Sequence, residues 1–358
     1  MASDRGPAPV TSLPVLERAG ALVVHGSLAG CVAALALARR GLRVVLASPA
    51  CSLPADWCVT RRAWVSAARL NALPQPWRDV FAQSCAGKAA RGEHILNLAT
   101  LAAKTEDLLL DAGVKLFYGM FPCGVAMADK DAVHAVVFGG KFGLAVVAAG
   151  AVVDCTPAVS VAALAGHVPA CRPIPKSGAQ VRVFAKAGLP DEAHPLICER
   201  GQRNNCPIQP PGGSSLSAPG VPALPGGKVL LHGPYAEFPL RLPIDQSGPL
   251  WPSGLAGATR NALLQAGAAV NQQRQAQRLP PVYFHRFSGE FDTEPLVRIR
   301  AASRARPFQP AGLSNVFVCG PAADVDAPAA RALTEPGNAA RLALSISRKL
   351  KPAPAPRR

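Results

Sequence analysis

The sequence is poor in aromatic and charged residues, which make up 5% and 17% of its 358 positions. Proteins that bind nucleic acid on an open surface usually combine basic side chains with exposed aromatic rings. The shortage of rings therefore argues against that class, despite a formal net charge of +16. Half of this charge falls within residues 296–358, where a solvated basic face and tail explain it. No short sequence period is present, which excludes solenoids and propellers.

Metal-binding patterns are also missing. None of the ten cysteines forms a Cys-x-x-Cys pair, and Cys51 and Cys58 are too far apart for a zinc knuckle. Cys31 and Cys155 lie in apolar runs, where a free thiol behaves as a small hydrophobic group. We expect no metal site, and we expect a protein of the reducing cytoplasm.

Size and composition predict a folded chain of about two domains, at roughly 150 residues per domain. Hydrophobic residues make up 49%, enough for a large core. The 32 glycines and 36 prolines interrupt the chain too often for a long helical bundle or coiled coil.

Residues 21–38 contain no charged side chain, so a membrane-spanning helix is one interpretation of them. His25, Gly26, Ser27 and Gly30 lie in their middle, however, and a strand-like run follows Gly41. We therefore favour a soluble interpretation with no membrane contact.

In the soluble interpretation the same segment is a βαβ unit. A strand over 21–25, a turn of small residues over 26–30, a helix over 31–40 and a strand over 42–47 follow one another within about 30 residues. The first amides of such a helix are unpaired and lie at its positive end, so they can hold a pyrophosphate.

The glycine fingerprint of nucleotide-binding βαβ units is only partly present. Its three glycine positions hold His25, Ser27 and Gly30, and the second strand ends in Ser48 where an acid usually accepts the ribose hydroxyls. The pattern is also compatible with a βαβ unit that binds no nucleotide.

Residues 98–166 carry a more specific pattern. An amphipathic helix over 98–113 is followed by a strand over 114–118, a meander over 121–150 and a buried strand that ends in Asp154-Cys155-Thr156. This order, with DAGVKLFYG, VVDCT and VAALAG, resembles the FAD-dependent oxidoreductases with a glutathione-reductase-like fold. The segment 314–350 resembles the closing strand and helix of the same family.

The resemblance implies an α/β fold, in which a Rossmann-like FAD-binding domain with a parallel sheet and an antiparallel meander accompanies a smaller α+β substrate domain. It implies FAD as the cofactor, held by residues at five places in the chain. They are Gly26, Ser27, Leu28, Ala29 and Gly30; Ser48; Pro122 and Cys123; Thr156; and Gly320, Asp324, Gly337, Asn338 and Ala339. The family's Gly-Gly loop after the second strand is replaced here by Leu53-Pro54-Ala55-Asp56.

The domain organisation that follows has five parts. They are a flexible tail over 1–20, the first part of the FAD-binding domain over 21–168, a reduced substrate domain with a Pro/Gly-rich loop over 169–295, the closing FAD segment over 296–350 and a basic tail over 351–358. The substrate domain is predicted to contain strands over 180–188 and 228–235 and a helix over 254–278. Side chains that could act on a substrate are His194, His232, Tyr235, His285, Arg298 and Arg300, but no pattern identifies a catalytic residue.

The sequence thus predicts an FAD-dependent oxidoreductase that passes a hydride from a small organic substrate to flavin N5. The alternative is a non-catalytic member of the family, a scaffold or binding module that has lost tight FAD binding. Substrate, electron acceptor and oligomeric state are not predicted.

Overall fold

The structure is a computed structural model. It describes residues 13–88, 92–174, 178–188, 230–232, 235–242 and 295–350, together with residues 176, 276, 283–284 and 292–293. The strands are β1 Val15–Val24, β2 Val44–Ser48, β3 Trp64–Ser66, β4 Cys85–Lys88, β5 Glu93–Leu96, β6 Lys115–Tyr118, β7 Phe121–Met127, β8 Val133–Gly140, β9 Gly143–Asp154, β10 Ala170–Cys171, β11 Ala179–Gly188, β12 Leu230–His232, β13 Tyr235–Leu242, β14 Tyr283–Phe284, β15 Asp292–Thr293, β16 Val297–Arg298 and β17 Val316–Val318. The helices are α1 Leu28–Arg39, α2 Ala55–Cys58, α3 Ala67–Asn71, α4 Trp77–Gln83, α5 Leu98–Asp111, α6 Ser160–Leu164, α7 Ala327–Ala332 and α8 Pro336–Lys349.

A seven-stranded sheet organises the fold. Its order is β6-β2-β1-β9-β8-β7, and β17 pairs with the second half of β9. The strands β6, β2, β1, β9 and β17 are parallel, whereas β8 and β7 form the antiparallel meander. The predicted α/β class, with a parallel sheet and a meander, is confirmed. The last meander strand and the buried strand before Cys155 are one continuous strand, β9, of twelve residues.

Alternating side chains of the parallel strands enter two separate cores. Ala21 and Val23 of β1 pack with α1 and α8 on one face, whereas Leu22 and Val24 pack with the meander on the other. Because successive strand residues point to opposite faces, every buried position of β1 contributes to one of the two cores. Both faces of the central sheet are therefore covered, as is usual for parallel sheets.

Gly30 lets α1 approach β1. A Cβ atom at this position would lie 2.2 Å from the backbone oxygen of His25, a separation that no side chain can occupy. The third glycine of the fingerprint is therefore required for close packing of helix and strand.

The amino-terminal boundary was predicted wrongly. The predicted flexible tail of residues 1–20 is in error for residues 15–20, because these form the first part of β1 and pair with Val146–Ala149 of β9. Glu17 and Arg18 conceal this strand in the sequence, since its apolar pattern becomes continuous only at Ala19.

The segment 21–38 is not one helix, because its first residues belong to β1 and its helix begins at Leu28. Within the described ranges, no helix is long and apolar enough to cross a membrane.

Smaller antiparallel sheets accompany the main one. Strands β3, β5 and β4 form one of them, and β12, β13, β11 and β14 form another, with β15 pairing β11. Trp64 of β3 and Phe184 of β11 make an edge-to-face ring contact with centroids 5.2 Å apart. The predicted strand over 228–235 is instead a hairpin of β12 and β13, and most of the predicted helix over 254–278 lies outside the described residues.

Candidate functional site

The carboxyl ends of four parallel strands lie side by side. Cys155 N–H donates to the Val24 oxygen at 2.9 Å, and Cys319 N–H donates to the Asp154 oxygen at the same distance. The end of β2 joins them through His25 N–H, which donates to the Ala47 oxygen at 2.8 Å. Ligands of open parallel sheets bind outside such carboxyl ends, so this edge is the candidate nucleotide slot.

His25 keeps the backbone conformation of the glycine it replaces. Its φ is +82°, in the left-handed region that favours glycine. The side chain is 7% exposed, and its Nδ1 has no hydrogen-bond partner among the described residues. Burial lowers the pKa of His25 from 6.5 to about 4, so the imidazole is neutral at physiological pH.

The first turn of α1 is capped from two directions. Ser27 Oγ accepts a hydrogen bond from Gly30 N–H at 3.3 Å, as an ordinary N-cap does. Leu28 N–H, the first amide of the helix, donates to Asp56 Oδ1 at 2.8 Å. A carboxylate of the chain itself therefore lies where this helix would hold a pyrophosphate. In the sequence, this contact is reflected only in the replacement of the family's Gly-Gly loop by Leu53-Pro54-Ala55-Asp56. The spacing of these residues does not predict that Asp56 contacts α1.

The Ser48 hydroxyl is hydrogen-bonded to the protein backbone. Its hydroxyl oxygen accepts hydrogen bonds from Gly26 N–H and Ala50 N–H, both at 3.2 Å, and the residue is fully buried. Leu53 Cδ2 lies 2.1 Å from where a Cβ of Gly26 would be. The expected contact of Ser48 with the ribose has no support in this geometry, because the hydroxyl is buried and already bonded.

Asp154 and Thr156 stabilise the turn after β9. The buried Asp154 carboxylate accepts bonds from Thr156 N–H, Thr156 Oγ1 and the amides of Val161 and Ala162, at 2.6 to 3.2 Å. Burial raises the pKa of Asp154, and these donors oppose the shift. The predicted cofactor residue Thr156 therefore lies at the slot edge, with its hydroxyl donating to Asp154.

Pro122 and Cys123 begin β7 close to the end of β2. Met120 N–H donates to the Ser48 oxygen at 3.0 Å, which places the start of the meander beside the slot. Cys123 is exposed, and its Sγ lies 3.5 Å from the Val137 oxygen. Of this segment, the residue in contact with Ser48 is Met120, two positions before Pro122.

The turn after β17 contains a buried glycine and an engaged acid. Among the residues that the structure describes, no atom lies within 4 Å of a Cβ built on Gly320. Asp324 Oδ2 accepts a bond from Ala301 N–H at 2.9 Å, and its Oδ1 lies 3.6 Å from Arg298. Both carboxylate oxygens of Asp324 therefore face β16 and the residues after it. This geometry does not support the predicted role of Asp324 in binding the cofactor.

Arg172 was not predicted, and it fixes this turn. Its guanidinium donates to the oxygens of Pro321, Ala323 and Val325 at 3.2, 3.0 and 2.7 Å. Burial lowers the pKa of Arg172, and its Nε has no partner among the described residues. No local pattern identifies this residue, because all three of its acceptors are backbone oxygens about 150 positions away.

The amino end of α8 has no side-chain cap. Its N-cap residue, Glu335, instead forms a two-bond ion pair with Arg69 at 2.6 and 2.7 Å. Gly337 packs against the backbone of Ala72, whose oxygen would lie 2.7 Å from an added Cβ. The amides of Asn338 and Ala339 both donate to the Glu335 oxygen, within the first turn of the helix.

The substrate candidates are only partly described. His232 and Tyr235 are directly paired in the β12–β13 hairpin. Arg298 is exposed beside Asp324, and Arg300 N–H donates to His167 Nε2 at 3.1 Å. His194 and His285 lie outside the described residues, and no group of three His, Cys, Asp or Glu in the described part could hold a metal ion.

A separate cavity of about 590 Å³ lies beside β17 and the carboxyl end of α8. Gly150 and Asn315 line it, and both precede the carboxyl ends of their strands. The cavity is therefore distinct from the slot at the carboxyl edge.

Comparison with known families identifies the fold. Residues 21–171 match the family model of the FAD dependent oxidoreductases. Over these residues the chain is similar to that family. The resemblance seen in the sequence is confirmed, and FAD is the cofactor that the match indicates. No curated protein sequence matches the chain.

Solved structures of aromatic hydroxylases share the fold. The OxyS anhydrotetracycline hydroxylase from Streptomyces rimosus is 14% identical with a TM-score of 0.54, over 94% of this chain and 64% of that one. The p-nitrophenol 4-monooxygenase PnpA from Pseudomonas putida DLL-E4 is 13% identical with a TM-score of 0.51, over 93% and 81%. This chain therefore spans less than two thirds of the length of the first neighbour. Identities this low show a common fold.

The backbone of the slot fits an FAD molecule, with two contacts changed. The parallel strand ends, the close α1–β1 approach at Gly30, the space beside Gly320 and the uncapped end of α8 are the features that a flavin dinucleotide requires. Ser48 supplies no carboxylate to a ribose, and Leu28 N–H is held by Asp56.

Proposed function

We propose that this protein is an FAD-dependent oxidoreductase acting on a small organic substrate. The observation that carries the proposal is the convergence of β2, β1, β9 and β17 at one edge, with α1 beginning there. When bound, the flavin supplies the redox chemistry, accepting a hydride from the substrate at N5.

The chain's own residues bind and orient the dinucleotide. The first turn of α1 would hold the pyrophosphate, and the turn 320–325, which the bonds from Arg172 fix, would lie along the ribityl chain. The positive end of α8 stabilises negative charge near the flavin ring, since the helix dipole acts most strongly at its first turn.

The substrate side involves the second domain. Trp64 and Phe184 join that domain to the first through their ring contact. His232 and Tyr235 are the candidates there for orienting a substrate proton, because the hairpin register pairs them.

The experiment is to look for bound flavin in the purified protein. We expect flavin absorption that survives gel filtration, or that appears after incubation with FAD, and that bleaches anaerobically with the right substrate. The variant Gly30→Leu should bind no flavin, because its side chain forces α1 away from β1. Colourless protein that takes up no added FAD refutes the proposal.

A second candidate is a non-catalytic scaffold or binding module of the same fold. The observation that favours it is the internal bonding of Ser48 and Leu28, two positions that face the nucleotide in the family. Substrate-dependent bleaching of bound flavin excludes it.

A further inference from the structure

We infer that Asp56 is an internal competitor of the cofactor pyrophosphate, so that its carboxylate sets how tightly the protein binds FAD. This inference rests on the proposed function, because it concerns the same slot. It adds a contact that neither the family match nor the fold assigns.

The contact has the geometry of an occupied anion site. Asp56 Oδ1 accepts the Leu28 amide hydrogen at 2.8 Å, at the positive end of a twelve-residue helix. Hydrogen bonds to an ionised acceptor are about twice as strong as neutral ones. A phosphate oxygen that approaches this amide meets a carboxylate of the same charge at the same donor.

A second observation marks this turn as a binding position. The neighbouring His25 is held at φ +82° and buried, and its Nδ1 lacks a partner among the described residues. A non-glycine residue in this conformation is strained, and a buried nitrogen without a partner costs further free energy. Such features concentrate where a chain is shaped for a ligand rather than for stability.

The segment that carries Asp56 is anchored by its neighbouring residues. Asp56 is exposed, whereas the next residue, Trp57, is buried with its ring 5.0 Å from that of Phe81 and beneath the Arg62 guanidinium at 4.6 Å. Ala55 N–H also stays bonded to the Gly26 oxygen at 2.7 Å. The backbone on both sides of Asp56 is therefore held by contacts other than the bond to Leu28.

The test compares FAD binding by the full chain with that of two variants. Asp56→Asn removes the charge but keeps an acceptor, and Asp56→Ala removes both. Quenching of flavin fluorescence should show a dissociation constant about tenfold lower for Asp56→Ala, with Asp56→Asn between it and the native protein. The control Asp79→Asn removes one exposed acid from the first turn of α4 and should change nothing.

Inorganic pyrophosphate gives a readout that needs no flavin. It should raise the melting temperature of Asp56→Ala but not that of the native protein, and it should compete with FAD for the variant. Equal or weaker FAD binding by Asp56→Ala, in a native protein that does bind FAD, overturns the inference.

The two proposals can fail separately. If neither native protein nor variants bind FAD, the proposed function and the effect of Asp56 on FAD affinity are both wrong, and the pyrophosphate result decides only whether Asp56 occupies a phosphate-binding position. Protection of Asp56→Ala by pyrophosphate then supports that placement, and the lack of protection overturns it. Should Asp56→Ala fail to fold, the same comparisons are made with Asp56→Asn, which keeps the hydrogen bond to Leu28.

Discussion

The buried imidazole of His25 makes the protein less stable in acid. Its pKa falls from 6.5 to about 4 on folding because burial disfavours the charged form. The unfolded chain therefore binds a proton more readily than the folded one, and the free energy of unfolding decreases as pH falls through this interval. The stability is fully present above about pH 6.5 and is lost progressively towards about pH 4.

The size of the loss follows from the two pKa values. A difference of about 2.5 pH units corresponds to about 3 kcal/mol, at about 1.36 kcal/mol per unit. At about pH 4.5, most of this, about 2.5 kcal/mol, is already lost relative to about pH 7.5. This is a large part of the 5–15 kcal/mol that typically separates folded from unfolded domains.

Urea unfolding at these two pH values measures the effect. The matched variant is His25→Asn, because asparagine tolerates a positive φ and does not titrate. Carboxylates such as Asp154 contribute equally to both proteins, so the pH-dependent difference between them isolates the imidazole. If His25→Asn loses as much stability in acid as the native protein, the imidazole is not buried in its neutral form and the reasoning is refuted.

Three further predictions concern packing around the slot. In a denaturant titration, Gly30→Ala should lower the free energy of unfolding by several kcal/mol, on the order of other overpacked core sites. The control Gly20→Ala, whose Cβ would make ordinary contacts, should change it by less than about 1 kcal/mol. Equal effects of the two substitutions would contradict the close approach of α1 to β1. Arg172→Met should lower the free energy of unfolding by about 3 kcal/mol in the same titration, because three backbone oxygens lose a charged donor. A variant as stable as the native protein would show that water replaces the guanidinium. Gly337→Ala should shift the amino end of α8 away from Ala72, which circular dichroism melts would report as a lower melting temperature, and an unchanged melt would refute that contact.

The sequence predicts the frame of the domain well, because the frame depends on local pattern. The helix of α5 is visible in the amphipathic period of residues 98–113, and Asn97 and Gly113 mark its ends. The strands of the meander are visible as short apolar runs separated by turn residues. The order of these elements is also what resembles the FAD-dependent oxidoreductases.

The contacts within the slot could not be predicted in the same way. Asp56 meets Leu28 across 28 positions, and Arg172 meets three oxygens about 150 positions away. Neither contact can be predicted from residue spacing. A charged side chain can bond to the backbone amide or oxygen of any residue type, so the sequence does not show which residue is its partner. The strand over Val15–Ala19 was missed for a related reason: its pairing with β9, rather than its own composition, makes it a strand.

The departures from the family fingerprint are one connected change. Ser48 Oγ accepts a hydrogen bond from the Gly26 amide, and Asp56 Oδ1 accepts one from the Leu28 amide. The Ala55 amide donates to the Gly26 oxygen. Three groups of the chain thus occupy the hydrogen-bonding positions of one turn. Each such bond stabilises the FAD-free protein, and any bond that FAD must replace subtracts from the cofactor's affinity. Stability of the empty protein and affinity for FAD are therefore opposed at this turn. A substitution at Asp56 should lower the melting temperature of the empty protein and increase the difference between the FAD complex and the empty protein. An unchanged or smaller difference would show that the bond to Leu28 survives in the complex.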